Sequence, residues 1–427
     1  NNQELWRGHI NVELSDRALH EIYLPAFKRA VTDGGAWSIM GAYNKVRGQH
    51  ACHNEMLLNK ILKDDWAFDG VVITDWGGAH DTREAALYGL DLEMGTYTDG
   101  LTSESANGTD AYYLANPYLA MLEKGEVPMS TLDDKVRRLL RLNFRTAARR
   151  NKPYGSVASS EHYTIAEAIG NEAVVLLKNA PAGKKQPALL PIDASRYDRI
   201  LVVGENATRN LMTGGGSSEL KPKDVITPLD GLKALYGDKV EYTEGYRSGR
   251  AMYSNVDKIP AAVTDSLRRR AVDMAREGGL VIFVGGLNKN HLQDCEAGDR
   301  QEYGLPFGQP ELIDELAAVN PDIVVVLLSG NAVEMPWASK VPAIVQGWYL
   351  GSMGGYSIAN VLSGAVNPSG KLPFSFPVRL EDNGAHHFGA ISYPGDSIKQ
   401  QYLEDVLVGY RWHDTKKIPA FYPFGHG

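Results

Sequence analysis

The stretch Phe68-Asp69-Gly70-Val71-Val72-Ile73-Thr74-Asp75-Trp76-Gly77-Gly78 decides how the rest of the chain is read. Val71, Val72 and Ile73 form an unbroken β-branched apolar run, the composition of a strand buried on both faces of a parallel sheet. The run stops at a carboxylate, an indole and two glycines. In parallel α/β folds the chemistry collects where strands end and loops begin, so Asp75 is placed like a reacting group. Trp76 offers an apolar face to the C–H side of a sugar ring, and Gly77 and Gly78 let the backbone turn sharply. A plainer reading stands beside this one: Asp75 caps the following helix and Trp76 packs in the core.

Upstream, Ser15 or Asp16 is placed to cap a helix with Leu19, Ile22, Tyr23, Phe27 and Val31 at helical spacing, and Pro25 inside it predicts a kink. Residues 37–44 read as a buried strand entering a polar loop, and 54–63 as the helix leading into the strand before Asp75. Downstream come a helix over 81–90, a short strand at 92–94, and helices over 112–125 and 132–149. Such alternation implies a parallel sheet covered by helices. A stretch rich in Asn, Pro, Gly and Ser at 151–160 reads as a linker. Beyond it, helices over 165–178, 228–235, 260–276, 310–318 and 356–362 interleave with strands at 200–203, 241–243, 280–284, 323–328 and 343–345. This is a second α/β layer structure of open-sheet, flavodoxin-like type, followed by an irregular tail rich in Pro, Gly and aromatic residues.

Composition narrows the function. At 427 residues the chain can bury two substantial cores. A formal net charge of −8 argues against a phosphate-backbone partner, and no apolar run approaches the ~18–20 residues that span a bilayer. Neither nucleic acid nor membrane is therefore an expected partner. Cys52 and Cys295 make neither a disulfide framework nor a four-ligand zinc site, although one bond between them stays open. His50 and His53 flank Cys52 without a third ligand nearby, and His386-His387 reads as a surface or interface pair. No metal and no cofactor is expected. The run Gly214-Gly215-Gly216-Ser217-Ser218 lacks the Gly-Lys-Ser/Thr ending of a P-loop and the Rossmann spacing, so it reads as structural. By contrast, the loop 287–300 after the strand at 280–284 carries Asp294, Glu296, Asp299 and Arg300 at the functional edge of its sheet. Its alternative is a solvated surface loop.

Several motifs in order resemble family 3 glycoside hydrolases. Met40-Gly41-Ala42-Tyr43-Asn44, then Asn54 with Leu57-Leu58, Trp66-Ala67-Phe68-Asp69-Gly70 and Thr74-Asp75-Trp76 are similar to the family's Met-x-x-Tyr-Asn, Asn-x-x-Leu-Leu, Trp-Gly-Phe-x-Gly and Ser-Asp-Trp. Arg17 to Phe27 resembles its Arg-x-Leu-x-Glu-Ile-Tyr-Leu-x-x-Phe helix, and Val174-Val175-Leu176-Leu177-Lys178-Asn179 with Leu190-Pro191 the entry to its second domain. Cys295-Glu296-Ala297-Gly298-Asp299-Arg300 with Leu305-Pro306 is similar to its Glu-Gly-x-Asp-Arg and Leu-Pro motifs. The motifs Asn367-Pro368-Ser369-Gly370-Lys371-Leu372-Pro373 and Val408-Gly409-Tyr410-Arg411 extend the likeness to the tail.

The resemblance implies an α/β fold: the C-terminal part of a (β/α)8 TIM-like barrel over 1–150, the 151–160 linker, and an α/β/α sandwich over 161–375. An irregular wrap over 376–427 would lead to a missing third domain. It further implies a retaining, exo-acting β-glucosidase, with Asp75 as nucleophile and Glu296 as the general acid/base brought across from the second domain. Tyr43 matches the family tyrosine near the nucleophile, Trp76 would stack on the sugar or aglycone, and Met40 joins them at the substrate. Asp294 and Glu302 share the loop with Glu296, and Ala297 stands where the pattern has glycine, which alters the local turn. About three of eight barrel strands are expected here, so a fragment, a processed chain or a complementing chain or homo-oligomer must supply the rest. The partner is a β-linked oligosaccharide or glucoside. A β-xylosidase of the same family, or a non-catalytic carbohydrate-binding module, are the alternatives. Compartment is not legible in the residues; the resemblance alone points to a periplasmic or secreted protein.

Overall fold

A computed structural model of the chain describes residues 3–95, 110–146, 155–181, 187–250, 255–290, 293, 295–296 and 298–427. It divides into two compact units, Asn1–Tyr154 with Gly384–Trp412, and Gly155–Asn383 with His413–Gly427.

In the first unit the strands are β1 (Asn11–Glu13), β2 (Ser38–Gly41), β3 (Lys45–Val46), β4 (Gln49–His50) and β5 (Val71–Thr74). β2 and β5 pair in parallel from Ser38↔Val71 to Gly41↔Thr74, and Leu92 bridges to Ile73 in the same sense. These three adjacent parallel segments are a piece of α/β layer, with helix Glu55–Asp65 as the crossover between β2 and β5. Asn54 caps that helix, its side chain accepting the Leu57 N–H at 3.0 Å. The core beneath is Leu58, Leu62, Phe68, Val72, Ala79, Ala85 and Leu90. Each large apolar side chain buried there contributes about 1.5–3 kcal/mol.

The upstream helix is capped by Ser15, which accepts the Ala18 N–H at 2.9 Å. Pro25 has no N–H to give to the preceding turn. The chain answers with a π-helical turn over Leu19–Tyr23 directly before the straight helix Leu24–Thr32. A second sheet joins β1 to β3 in parallel, β3 to β4 as a hairpin, and β1 to the tail strand Lys399–Gln401 in parallel.

The second unit is built on β6 (Val175–Asn179), β7 (Ile200–Val203), β8 (Val240–Thr243), β9 (Leu280–Gly286), β10 (Ile323–Leu328) and β11 (Ala343–Gln346). They lie in the order β6-β11-β10-β9-β7-β8, parallel except that β6 runs antiparallel to β11. Alternate residues feed two cores. Leu201, Val203, Val281, Phe283, Val325 and Leu327 face helices Ala261–Arg276 and Gln309–Val319. Ile200, Val202, Ile282, Val284, Val324 and Val326 face helices Pro228–Tyr236 and Gly354–Ser363. The result is an α/β/α sandwich.

One element differs from the periodicity reading. The helix expected over 165–178 ends at Ala173, and residues 175–179 form edge strand β6. Val174, Val175, Leu176 and Leu177 are a continuous apolar run that suits either element; pairing along β11 decides it. Among the described residues no helix is long and apolar enough to cross a membrane, and no group of three or more His, Cys, Asp or Glu is placed to hold a metal ion.

Candidate active site

In the first unit, the ends of two neighbouring parallel strands bring four of the expected residues to one edge. Asp75 follows β5 directly and is half-buried. Its N–H donates to the Gly41 carbonyl at the end of β2 (3.3 Å), and its own carbonyl accepts the Gly78 N–H (3.0 Å). Asp75 Oδ1 accepts the Trp76 N–H at 2.7 Å. Gly77 takes φ +70° to make this turn, and its N–H reaches the Met94 carbonyl at 2.8 Å. The Met94 N–H in turn donates to Thr74 Oγ1 at 2.8 Å, fastening the neighbouring segment to the same strand end.

The plainer reading of this stretch fails on two counts. Helix Thr82–Leu87 is capped by Asp81, whose Oδ1 accepts the Glu84 N–H at 2.7 Å, and not by Asp75. Trp76 is 59% exposed, so it is not a core residue. Met40, opposite Ile73 in the β2–β5 register, is 60% exposed. Tyr43 sits just past β2, half-buried, with the Arg7 guanidinium 5.2 Å from its ring centre and its carbonyl accepting His50 Nδ1–H at 2.9 Å. The edge therefore combines a carboxylate with two large exposed apolar side chains.

Buried Cys52 lies directly under this edge. A methyl group on Gly41 or Gly78 would stand 2.8 or 2.7 Å from Cys52 Sγ, so both positions require glycine for close approach. Burial pushes the Cys52 thiol up to about 12, which keeps it a neutral packing group. Cys52 and Cys295 are not joined by a disulfide.

In the second unit, the loop after β9 starts from a braced strand end. Gln309 Oε1 accepts the Gly286 N–H at 2.8 Å while its Nε2 donates to the Gly286 carbonyl at 2.9 Å. Further along, Glu296 is half-buried and seated on the glycine-rich loop. Ser217 Oγ–H donates to Glu296 Oε1 at 3.1 Å, and the Ser217 N–H donates to Oε2. Gly216 has φ +65°, and a Cβ there would lie 2.3 Å from Glu296 Oε2 and 2.4 Å from Glu296 Cβ. The glycine run read as structural is thus the seat of a carboxylate, and Glu296 is not a freely solvated loop residue. Asp294 and Ala297 lie outside the described residues. Arg300, in the same loop, donates to the Ala332 carbonyl at 2.8 Å.

Comparison with known proteins fits both halves. The model of the glycosyl hydrolase family 3 N terminal domain matches residues 7–142, and that of the family 3 C-terminal domain matches residues 174–427. The chain belongs to glycosyl hydrolase family 3. Beta-glucosidase BoGH3A of Bacteroides ovatus is 65% identical over 427 residues, all of this chain and 57% of that protein. An exo-alpha-(1->6)-L-arabinopyranosidase of Bifidobacterium longum is 32% identical over 436 residues, again all of this chain and 52% of the relative. Among solved structures, DesR, a beta-glucosidase from Streptomyces venezuelae in complex with D-glucose, superposes with a TM-score of 0.88 at 26% identity, covering 100% of this chain and 65% of that one. The family 3 chain thus spans between half and two thirds of the length of these proteins.

Three residues packed against the candidate groups of the two units escaped the sequence reading: Cys52 in the first, and Gly216 and Ser217 in the second. A Gly-Gly-Gly-Ser-Ser run marks a sharp backbone, but its partner carboxylate lies 79 positions away and leaves no local spacing to read. Cys52 carries a signal only in retrospect, through the paired glycines 41 and 78 that its sulfur demands.

Proposed function

We propose that this family 3 chain forms part of a retaining, exo-acting β-glucosidase that removes terminal β-D-glucosyl residues. The observation that carries the reading is the 65% identity to a β-glucosidase over all of this chain, 57% of that protein, together with an Asp75 that follows a strand end whose edge also carries exposed Trp76 and Met40. Asp75 attacks the anomeric carbon and forms a glycosyl-enzyme ester. Glu296 gives its proton to the leaving oxygen, then takes one from the water that hydrolyses the ester. Such a mechanism requires the two carboxyl groups to reach one glycosidic bond, with about 5–5.5 Å between them. Tyr43 orients the nucleophile, and Trp76 and Met40 line the sugar. Ser217 donates to both oxygens of Glu296, and Gly216 lets the two loops approach closely enough for it to do so.

The test is the release of nitrophenol from aryl β-glucoside by the full-length protein. Activity on the glucoside that disappears in Asp75→Asn supports the reading. Absence of any hydrolysis, with sugar binding retained, would instead identify a carbohydrate-binding module. A second reading, cleavage of a pentopyranoside, is favoured by the 32% identity to an arabinopyranosidase and includes the β-xylosidase alternative. Relative kcat/KM on aryl glucoside, xyloside and arabinopyranoside separates the two, since a site built for the glucose hydroxymethyl group discriminates by its unmatched contacts.

A further inference from the structure

The segment His50-Ala51-Cys52-His53 holds no metal set, yet its side chains brace the candidate edge and the loop that leads away from it. His50 Nδ1–H holds the Tyr43 carbonyl (2.9 Å), and its ring stacks on His80 at 3.8 Å between centres. Cys52 packs against Gly41 and Gly78. His53, only 1% exposed, makes the most informative pair of contacts. Its Nδ1 lies 2.8 Å from Glu84 Oε2, and its Nε2 lies 3.1 Å from the backbone nitrogen of His80. A backbone N–H can only donate, so Nε2 is the acceptor and Nδ1 carries the proton. That defines a neutral imidazole with one tautomer. Glu84 is itself held, taking the Gln49 amide at 3.3 Å on its other oxygen.

We infer that His53 is a positioning residue for the 75–80 loop: it pins the loop's far end at His80 and so fixes the aim of Asp75 and the pose of Trp76. The near end is fixed by the Gly41 carbonyl on the Asp75 N–H, and the middle by the Met94 carbonyl on the Gly77 N–H. The His80 N–H to His53 is the anchor nearest the helix cap at Asp81, beyond the Gly78 N–H that closes onto the Asp75 carbonyl. Protonation of Nε2 would replace an acceptor with a second donor facing a donor, and release that anchor. The groups facing the ring are Glu84 and Asp81 at the start of helix Thr82–Leu87, His50 from β4 and His80 from the loop. The two carboxylates favour the charged ring, but burial outweighs them and holds His53 below its ordinary range. The role in catalysis rests on Asp75 being the nucleophile; the anchor itself does not.

The test compares His53→Ala and His53→Gln in the full-length protein, by hydrogen exchange of peptides covering 76–81 and by kcat and KM on aryl glucoside, with Asp75→Asn as control. Loss of the anchor should speed exchange at the His80 amide about tenfold or more, and lower kcat about tenfold with KM little changed. A carboxamide offers both a donor and an acceptor but does not titrate. His53→Gln should therefore restore protection and most of kcat, and remove the acid-side rise in exchange expected of the unsubstituted protein as His53 takes up a proton. Unchanged exchange in His53→Ala overturns the inference. So does faster exchange with kcat intact, which would leave His53 a packing residue. If Ala does not fold, a Gln variant with unprotected 76–81 amides overturns it equally. Full activity in Asp75→Asn would refute the nucleophile reading and with it the link to catalysis, while the exchange data would still decide the anchor.

Discussion

The two carboxylates of the proposed mechanism are held in opposite ways. Asp75 stands at the end of a regular parallel strand and hydrogen-bonds to backbone groups of Gly41, Trp76 and Gly78, in the adjacent strand or the same turn. Glu296 stands on a long loop and accepts at both oxygens from one residue of another loop, Ser217. Regular strand pairing delivers the first at little conformational cost. The second needs two irregular segments to find each other, and glycine at 216 to let them approach. A nucleophile must point the same way at every turnover, whereas an acid/base that serves leaving group and water in turn tolerates a softer mount.

The largest effect should come from the rigid side. Asp75→Asn keeps the turn's shape and removes the charge, so kcat should fall about 10⁴-fold or more with an unchanged circular dichroism spectrum. A smaller loss would mean that the strand end is not where the bond is made. On the loop side, Glu296→Ala should cost about 10²–10⁴-fold on substrates with poor leaving groups, and far less on a dinitrophenyl glucoside that needs no proton. Ser217→Ala should reproduce that leaving-group pattern at about a tenfold cost, since one charge-assisted hydrogen bond is lost and the backbone donor remains. Equal losses on both substrates would show that Ser217 supports the fold and not the acid.

Acid titration should separate the two units. Burial lowers His50, in the first unit, from its ordinary 6.5 to about 4. The unfolded chain then binds the extra proton first, so this contribution is complete above about 6.5 and is lost as pH falls from there toward 4, roughly 3 kcal/mol in all. Calorimetry at pH 7 and pH 5 should show the first unit's transition moving down more than the second's, and His50→Gln should remove part of that shift. The smallest effect is expected at Ala67, which holds φ +51° where the family pattern has glycine. Ala67→Gly should raise the first unit's stability by about 1 kcal/mol, read from the denaturation midpoint.

How much of this was legible before the fold was seen follows the same division. The apolar run 71–73, the carboxylate after it and the glycines beyond are local signals, and they placed Asp75 on a strand end without any knowledge of its neighbours. The open sheet of the second unit was legible for the same reason, since each of its central strands is a short buried apolar run. The 165–178 stretch misled because a helix and an edge strand abut without a turn residue between them. The tail was read as one irregular wrap; Gly384–Trp412 clusters with the first unit and His413–Gly427 with the second, through pairings such as Asn11↔Lys399 that no local pattern encodes. Ser217 and His53 belong to this class too: their roles exist only through partners 79 and 27 or more positions away.

The central claim is that Asp75 forms the covalent bond to the sugar. Incubating the full-length protein with a 2-deoxy-2-fluoro-β-glucoside bearing a good leaving group slows breakdown of the ester enough to trap it. Peptide mass spectrometry should then find one fluoroglucosyl group, on the Asp75 side chain, and none in Asp75→Asn. A label on any other carboxylate, or steady turnover of aryl glucoside with no trapped ester, would contradict it.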